Sequence, residues 1–233
     1  MLYLLPNLLS DHSSHADVLP SSVDRAVASL THLIAEDEKQ GRLFLRRFLP
    51  DTFRTIPILV LNEHSTSEDK KELVKKVKAG GTFGLVSDCG MPCLADPGAD
   101  LVLMLRSQGV PIRAFSGPSS ILLALVLSGL GGQKFTFHGY LPKEEGALIA
   151  EIRRIEGLSH KEGSTHLFIE TPYRNERLFN LLLQILSPKT LLSVAIALTS
   201  EEEVVETLST SAWRVRGVPP LHKKPSVFSI RNF

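Results

Sequence analysis

Between Gly84 and Gly98 the chain reads GLVSDCGMPCLADPG, and between Val110 and Ser120 it reads VPIRAFSGPSS. Each stretch begins as a short apolar run, which is typical of a buried strand, and then changes abruptly to glycine, proline and hydroxyl residues. An apolar helical pattern over Ala99–Gln108 joins the two stretches. Because open α/β sheets bind ligands at the carboxyl ends of their strands, this arrangement predicts a ligand site on the two loops.

The loop residues suit a ligand that is held by main-chain groups. Gly90 and Gly98 lack a Cβ atom, so backbone N–H and C=O groups can approach a bound molecule closely. Pro92 stiffens the loop and lowers the entropy cost of ordering it. Ser119 and Ser120 can cap the next helix or turn a hydroxyl toward a ligand. The alternative is two tight turns with no ligand, since glycine and proline mark loops in every fold.

Composition narrows the class of protein without naming it. The chain has 233 residues, of which 43% are hydrophobic and 22% charged, and its net charge is +1. This length allows one large domain or two smaller ones, and the charge balance leaves any basic surface local. Every apolar run is shorter than the roughly 20 residues that cross a bilayer, and no basic segment precedes the apolar start. We therefore expect a cytoplasmic protein with no membrane partner.

The two cysteines, Cys89 and Cys93, both lie in the glycine-rich loop. Two thiolates are too few for a zinc site, and no histidine pair at ligand spacing accompanies them, so no metal site is predicted. A redox pair is one interpretation. Small loop residues in a reducing compartment are the other.

Strand-like and helix-like patterns alternate along the first half of the chain. The predicted strands cover Leu2–Leu5, Leu33–Ala35, Ile56–Leu61, Thr82–Val86 and Val110–Phe115. Such alternation predicts a mostly parallel sheet with helices on both faces. After Ser119 the pattern changes, and shorter alternating strands predict a mixed sheet. The fold class is therefore α/β, with two domains over residues 1–115 and 116–233 and a ligand cleft expected between them.

Familiar nucleotide and hydrolase motifs are missing from the sequence. No G-x-G-x-x-G follows the first strand and no G-x-x-x-x-G-K-[ST] occurs, which argues against a dinucleotide dehydrogenase and a phosphate-loop ATPase. A G-x-S-x-G nucleophile elbow is also absent, so an esterase is disfavoured.

Charged residues at two further places are candidates for chemistry. Glu36 and Asp37 follow the second predicted strand, where carboxylates can bind a hydroxyl or act as a base. They can equally be a solvated helix start, where negative charge suits the helix dipole. Arg42 and Arg46 share one face of the following helix, which is either a phosphate-binding patch or a solvated surface.

Segments spread along most of the chain resemble one family. They are LYLLP (2–6), AED (35–37), VSDCGMPCLADPG (86–98), SGPSS (116–120), LSGL (127–130), FHGYLP (137–142), FIETPYRN (168–175) and ALTSEEE (197–203). The third segment is long and specific, and the order and spacing of the others fit it. On these residues the chain resembles the tetrapyrrole methylase-fold family of S-adenosylmethionine-dependent methyltransferases. Within that family it is most similar to the 2'-O-ribose methyltransferases that modify a cytidine of small-subunit ribosomal RNA.

The resemblance implies two α/β/α domains, S-adenosylmethionine as methyl donor in the cleft between them, and a homodimer. It implies donor contacts at Pro6, Gly90, Met91, Pro92, Ser119, Ser120, Thr171, Ala197, Leu198, Pro225 and Ser226. The implied acceptor is small-subunit ribosomal RNA, which makes the expected role ribosomal RNA processing.

Methyl transfer to a ribose hydroxyl gains from a base, and the base candidates are Asp88, Glu36 and Asp37. Each of them follows a predicted strand on the cleft side. Arg153, Arg154 and Arg174 could hold phosphates, together with the arginines of the first half. Arg154 could instead pair with a neighbouring glutamate, and Asp88 could simply cap its loop.

Two places depart from the family pattern. The loop after the first strand reads NLLSDHSSH, with His12 and His15, where the family has a glycine-bearing loop. Near the C-terminus KKPSVF stands in place of a glycine-and-glutamate turn. A different RNA position therefore stays open. The alternatives from other classes are a methylase of a porphyrin-like small molecule and a non-catalytic RNA-binding module that has kept the fold.

Overall fold

The computed structural model describes residues 1–11 and 13–233, so the predicted loop residue His12 lies outside the described residues. The chain divides into two units, Met1–Ser119 and Ser120–Phe233. This division falls four residues beyond the boundary predicted after residue 115, because the first unit keeps the whole SGPS segment that follows its last strand.

The first unit contains a parallel sheet of five short strands. They are β1 (Leu2–Leu4), β2 (His32–Ala35), β3 (Ile58–Val60), β4 (Phe83–Leu85) and β5 (Ile112–Ala114). The strand order is β3-β2-β4-β1-β5, and every neighbouring pair is parallel. The predicted parallel sheet is confirmed, and β1 lies between the two strands that precede the glycine-rich loops.

Helices cover both faces of this sheet. They are α1 (His15–Val18), α2 (Ser21–Ala28), α3 (Glu38–Phe48), α4 (Ser67–Lys78) and α5 (Ala99–Ser107), with a 3₁₀ turn at Phe53–Thr55. Successive strand residues point to opposite faces. Leu33 accordingly packs in the core under α2 and α3, whereas Ile34 packs in the core under α4 and α5.

The second unit contains a mixed sheet, as predicted. Its strands are β6 (Phe135–Tyr140), β7 (Thr165–Ile169), β8 (Leu191–Ile196), β9 (Val204–Ser209) and β10 (Ser226–Arg231). The order is β6-β7-β10-β8-β9, in which β6 and β7 are parallel and the other neighbours are antiparallel.

The helices of the second unit are α6 (Ser120–Ser128), α7 (Glu145–Glu162), α8 (Asn175–Ile185) and α9 (Thr210–Arg216). Residues of α7, α8 and α9 share one core with the sheet, around the fully buried Trp213 and Phe179. The apolar helix α6 contacts β8, β9 and β10. On the helix α6 the side chain of Val126 is 76% exposed, whereas Ala124 and Leu125 are buried.

No helix in the described part of the chain combines the length and the apolar character needed to cross a membrane.

Candidate functional site

Three loops of the first unit meet at the carboxyl edge of the sheet because β1 lies between β4 and β5. The N–H of Asn7, which follows β1, donates to the carbonyl of Gly90, which follows β4, at 2.8 Å. A Cβ atom on Gly117, which follows β5, would lie 2.0 Å from Cβ of Pro6. Only glycine allows that approach. The structure thus brings the predicted donor-loop residues Pro6 and Gly90 together with the SGPSS turn.

A single asparagine joins the loop after β1 to the loop after β4 and to α3, and the sequence interpretation did not single it out. The side chain of Asn7 donates to the carbonyls of Ser87 (3.0 Å) and Asp88 (2.8 Å). Its Oδ1 accepts from the N–H of Leu8 at 2.9 Å and from Arg47 Nη1 at 2.8 Å. Asn7 is buried, and all its side-chain hydrogen-bonding groups are used. The signal that could have revealed it is its position directly after Pro6, where the apolar run 2–5 ends.

The backbone of the glycine-rich loop has an unusual conformation. Gly90 has φ +72° and Gly98 has φ +125°, and two non-glycine residues, Cys93 (φ +67°) and Ala95 (φ +68°), are also left-handed. Non-glycine residues rarely adopt such values, and they cluster at ligand sites. The N–H groups of Cys89, Gly90 and Met91 donate to no carbonyl of the described residues. Cys89 is exposed and Met91 is half-buried, so their N–H groups can reach a ligand or water, whereas Gly90 is buried.

Three carboxyl groups lie near this loop, and their environment opposes ionisation. Burial raises the pKa of Glu36, although the N–H of Asp88, 3.2 Å from Glu36 Oε1, works against the rise. Burial also raises the pKa of Asp88, with the charge of Asp37 adding to the effect. For Asp96, burial raises the pKa, whereas a hydrogen bond with Ser87 lowers it. A cationic ligand near these groups would relieve their mutual repulsion.

The three predicted base candidates have different structural roles. Asp37 is the N-cap of α3 and accepts from the N–H of Gln40 at 3.0 Å. Glu36 accepts from the main chain of the loop and so supports it. Asp88 is exposed, and its raised pKa brings it closer to the range in which a carboxylate works as a base.

The thiols of the loop are not activated. Burial raises the pKa of Cys89 to about 11, and it does the same for Cys93, whose pKa is also about 11. Both groups are therefore protonated thiols at neutral pH, and a thiolate is the reactive species in redox chemistry. The described residues contain no group of three or more His, Cys, Asp or Glu side chains that could hold a metal ion.

The predicted donor residues of the second unit lie along one edge of its sheet. Ala197 follows β8, and its N–H donates to the carbonyl of Pro225, just before β10, at 2.9 Å. Ala197 has φ +48°, again left-handed. Ser226 pairs with Ile196 in the sheet. Leu198 is buried and Thr171 is exposed. Ser119 is buried at the end of the first unit, and the half-buried Ser120 begins the second.

Among the arginines predicted to bind RNA, three contact other residues of the protein and two are exposed. Arg42 donates from Nη1 to the carbonyls of Phe53 (3.0 Å) and Ile56 (2.7 Å), so it braces the main chain after α3. Arg154 pairs with Glu151 at 2.6 Å, as in the alternative to phosphate binding that the sequence offered. Arg174 pairs with the buried Glu170 at 3.1 Å. The remaining two, Arg46 and Arg153, are exposed.

The two sheets and the loops at the carboxyl edge of the first define the class of this protein, a two-unit α/β protein with a loop-built candidate ligand site. Comparison with known families narrows the class. The family model described as "Tetrapyrrole (Corrin/Porphyrin) Methylases" matches residues 15–212, which is most of the chain. The chain belongs to the tetrapyrrole methylase family, and the sequence-based assignment to this family is confirmed.

Relatives and solved structures agree with this assignment. The chain is 32% identical over 154 residues to "Ribosomal RNA small subunit methyltransferase I" of Thermotoga maritima, covering 66% of this chain and 64% of the relative. It spans about half to two thirds of the length of the curated relatives it matches. Its fold resembles the methyltransferase CobJ (TM-score 0.64, 16% identity, 99% and 93% of the two chains). It also resembles the uroporphyrin-III C-methyltransferase of Thermus thermophilus in complex with S-adenyl homocysteine (TM-score 0.58, 16% identity, 99% and 97%).

Proposed function

We propose that the chain is an S-adenosylmethionine-dependent methyltransferase that methylates a ribose 2'-hydroxyl of small-subunit ribosomal RNA. The observation that carries this proposal is the similarity to relatives named as ribosomal RNA small-subunit methyltransferases. The glycine-rich loop supports it, since the available N–H groups and the nearby carboxylates suit the polar ends and the positive charge of such a donor. A ribosomal RNA acceptor implies that the protein works in the cytoplasm. The homodimer stays a prediction.

The chain's own residues have distinct tasks in this proposal. S-adenosylmethionine, when bound, supplies a methyl group already activated on a sulfonium. The loop around Gly90, fixed by Asn7, holds and orients the donor, which lowers the entropy cost of alignment. Asp88 takes the proton from the ribose hydroxyl, because its carboxylate is exposed and its pKa is raised. Arg46 and Arg153 are available for RNA phosphates.

The second unit contributes donor contacts in the same proposal, through Thr171, Ala197, Leu198, Pro225 and Ser226. The left-handed backbone of Ala197 supports this assignment, because strained backbone of this kind accumulates at ligand sites. The hydrogen bond from the Ala197 N–H to the Pro225 carbonyl holds these two contact residues next to each other. The remaining first-unit contacts are Pro6, Met91, Pro92 and Ser119, with Ser120 from the start of α6.

A matched pair of glycine variants tests the loop. Gly90→Ala is expected to weaken S-adenosylhomocysteine binding at least about tenfold, because a non-glycine residue at φ +72° shifts the loop backbone. Gly109→Ala introduces the same backbone penalty at φ +71° in the turn after α5, where nothing lies within 4 Å of the new Cβ. It should leave affinity unchanged. Calorimetric titration measures both, and equal affinity in a folded Gly90→Ala variant would refute the assignment.

The acceptor needs a separate measurement. Mass mapping of ribosomal RNA methylation, with and without the protein, should reveal one ribose methyl group that depends on it. Donor binding without any such RNA product would favour the alternative acceptor, a porphyrin-like small molecule. RNA binding without donor affinity would favour the non-catalytic module.

A further inference from the structure

Two loops of the second unit are joined beside the N-terminus of α8. The side-chain Nδ2 of Asn175 donates to the carbonyl of Lys224 at 2.7 Å, and Asn175 is fully buried. His222 Nδ1 lies 3.7 Å from Glu176 Oε1. The segment 170–176 and the segment 221–225 therefore form one surface.

Tyr173 is the aromatic side chain on that surface, and it is 81% exposed. The turn that carries it is anchored on both sides. The N–H of Thr171 donates to Glu170 Oε1 at 2.7 Å, and Arg174 pairs with the same buried carboxylate. A phenol ring on an anchored turn loses little further entropy when it stacks on a planar partner.

Lys223 is an exposed basic residue of the neighbouring loop, between His222 and Lys224. Its backbone is left-handed at φ +55°, a conformation that costs free energy for lysine and is held here by the surrounding loop. The next residue donates its N–H to the carbonyl of the fully buried Leu221 at 3.1 Å. Lys224 pairs with Glu202 at 3.1 Å. Within the described residues, by contrast, Lys223 has no ion-pair partner, so its ammonium group is available to an external anion.

We propose that Tyr173 and Lys223 form a docking point for single-stranded RNA, in which the Tyr173 ring stacks on an unpaired base and the Lys223 ammonium contacts an adjacent phosphate. This inference rests on the proposed function, since it assigns part of the RNA surface of the same enzyme. It assigns part of RNA recognition to an aromatic residue and a lysine in addition to the arginines. Arg174, next to Tyr173, supports the turn through Glu170.

Single-stranded RNA fits this pair better than other anions do. Stacking on an aromatic side chain contributes to binding for every base, and it needs bases that are not paired in a duplex. A lone lysine would serve any anion. The combination of an exposed ring and a free cation therefore selects a nucleotide over a carboxylate.

Fluorescence anisotropy of the full chain with a labelled, unstructured RNA 12-mer tests the proposal over a range of salt concentrations. Tyr173→Ala should weaken binding about tenfold or more with an unchanged salt dependence, whereas Tyr173→Phe should bind like the parent. Lys223→Asn keeps a residue that tolerates left-handed backbone and should lower the slope of log affinity against log salt by about 0.7. Phe135→Ala and Lys189→Asn are the controls, since both side chains are exposed in the same unit and Phe135 pairs with Thr165 at the opposite end of β7.

The possible outcomes separate this inference from the proposed function. A parent protein that binds no RNA overturns both. A parent that binds RNA, with Tyr173→Ala unchanged, overturns the inference alone. Equal weakening for a duplex of the same sequence overturns the stacking contact, and displacement of the probe by polyglutamate as readily as by RNA reduces the surface to a plain anion site. Loss of S-adenosylhomocysteine binding in Tyr173→Ala would assign the ring to the donor site instead.

Discussion

Asp96 lies in the glycine-rich loop, near the carboxyl groups of Glu36 and Asp88. Burial of its side chain makes the ionised form unfavourable for folding. The carboxyl is half-buried, and its pKa is raised above the ordinary value of 3.8, mainly by burial. In the pH range between the ordinary and the raised pKa, the unfolded chain releases a proton that the folded chain keeps. The free energy of unfolding therefore falls as pH rises through this range, and the cost is fully present above it.

Asp96→Asn is accordingly expected to raise the free energy of unfolding near neutral pH, with the gain disappearing below pH 3.8. Urea denaturation at both pH values measures it. Asp100→Asn is the control with the opposite sign, because the hydrogen bond from Lys70 lowers the pKa of Asp100. Destabilisation of Asp96→Asn near neutral pH would contradict the burial argument.

At the scale of a single element, helix α4 depends on its first turn. Thr66 Oγ1 accepts from the N–H of Asp69 at 3.2 Å, and Asp69 Oδ2 accepts from the N–H of Thr66 at 2.8 Å. This reciprocal capping box satisfies donors that the helix leaves unpaired. The three-residue spacing of Thr66 and Asp69 in the sequence is typical of such a box, and both bonds are present in the structure.

Thr66→Ala should lower the free energy of unfolding by about 1 kcal/mol, the usual cost of losing a capping hydroxyl. The urea midpoint should fall with an unchanged slope. Thr52→Ala is the matched control, since Thr52 begins the 3₁₀ turn without a side-chain capping bond. A loss of equal size in both variants would mean that the capping box adds nothing.

Elements with a clear pattern could be predicted from the sequence, and those without one could not. The apolar runs that predicted β1 to β5 located these strands to within a few residues. Helix α9 was missed because seven residues around Trp213 are too few to show a helical period. The contacts of Arg42 could not be predicted, since only the folded chain reveals the carbonyls of Phe53 and Ile56 that its guanidinium reaches.

At the scale of the whole molecule, each hydrophobic core draws its residues from one unit only. The clusters around Phe44 and around Leu101 belong to the first unit, and the cluster around Trp213 belongs to the second. Trp213 is the chain's single tryptophan, is fully buried, and donates from Nε1 to the carbonyl of Leu192 at 2.8 Å. Its fluorescence therefore reports on the second unit.

Phe44→Ala should cost about 3–5 kcal/mol in the first unit, because it empties a fully packed site. Far-ultraviolet circular dichroism should then show an early urea transition, while the Trp213 fluorescence midpoint stays near that of the parent. Phe179→Ala, which removes the ring 5.2 Å from Trp213, should instead lower the fluorescence midpoint. Equal shifts of both signals in Phe44→Ala would show that the two units unfold as one.

The amide of Asn7 meets four hydrogen-bonding groups that few other side chains could satisfy together. Its Nδ2 donates hydrogens to two carbonyls, and its Oδ1 accepts from a main-chain N–H and from the Arg47 guanidinium. Aspartate has the right size but no hydrogen to offer when ionised, and leucine has neither function. A substitution that lacks either the hydrogens or the lone pairs therefore releases the loop after β1 from both the loop after β4 and Arg47 in one step.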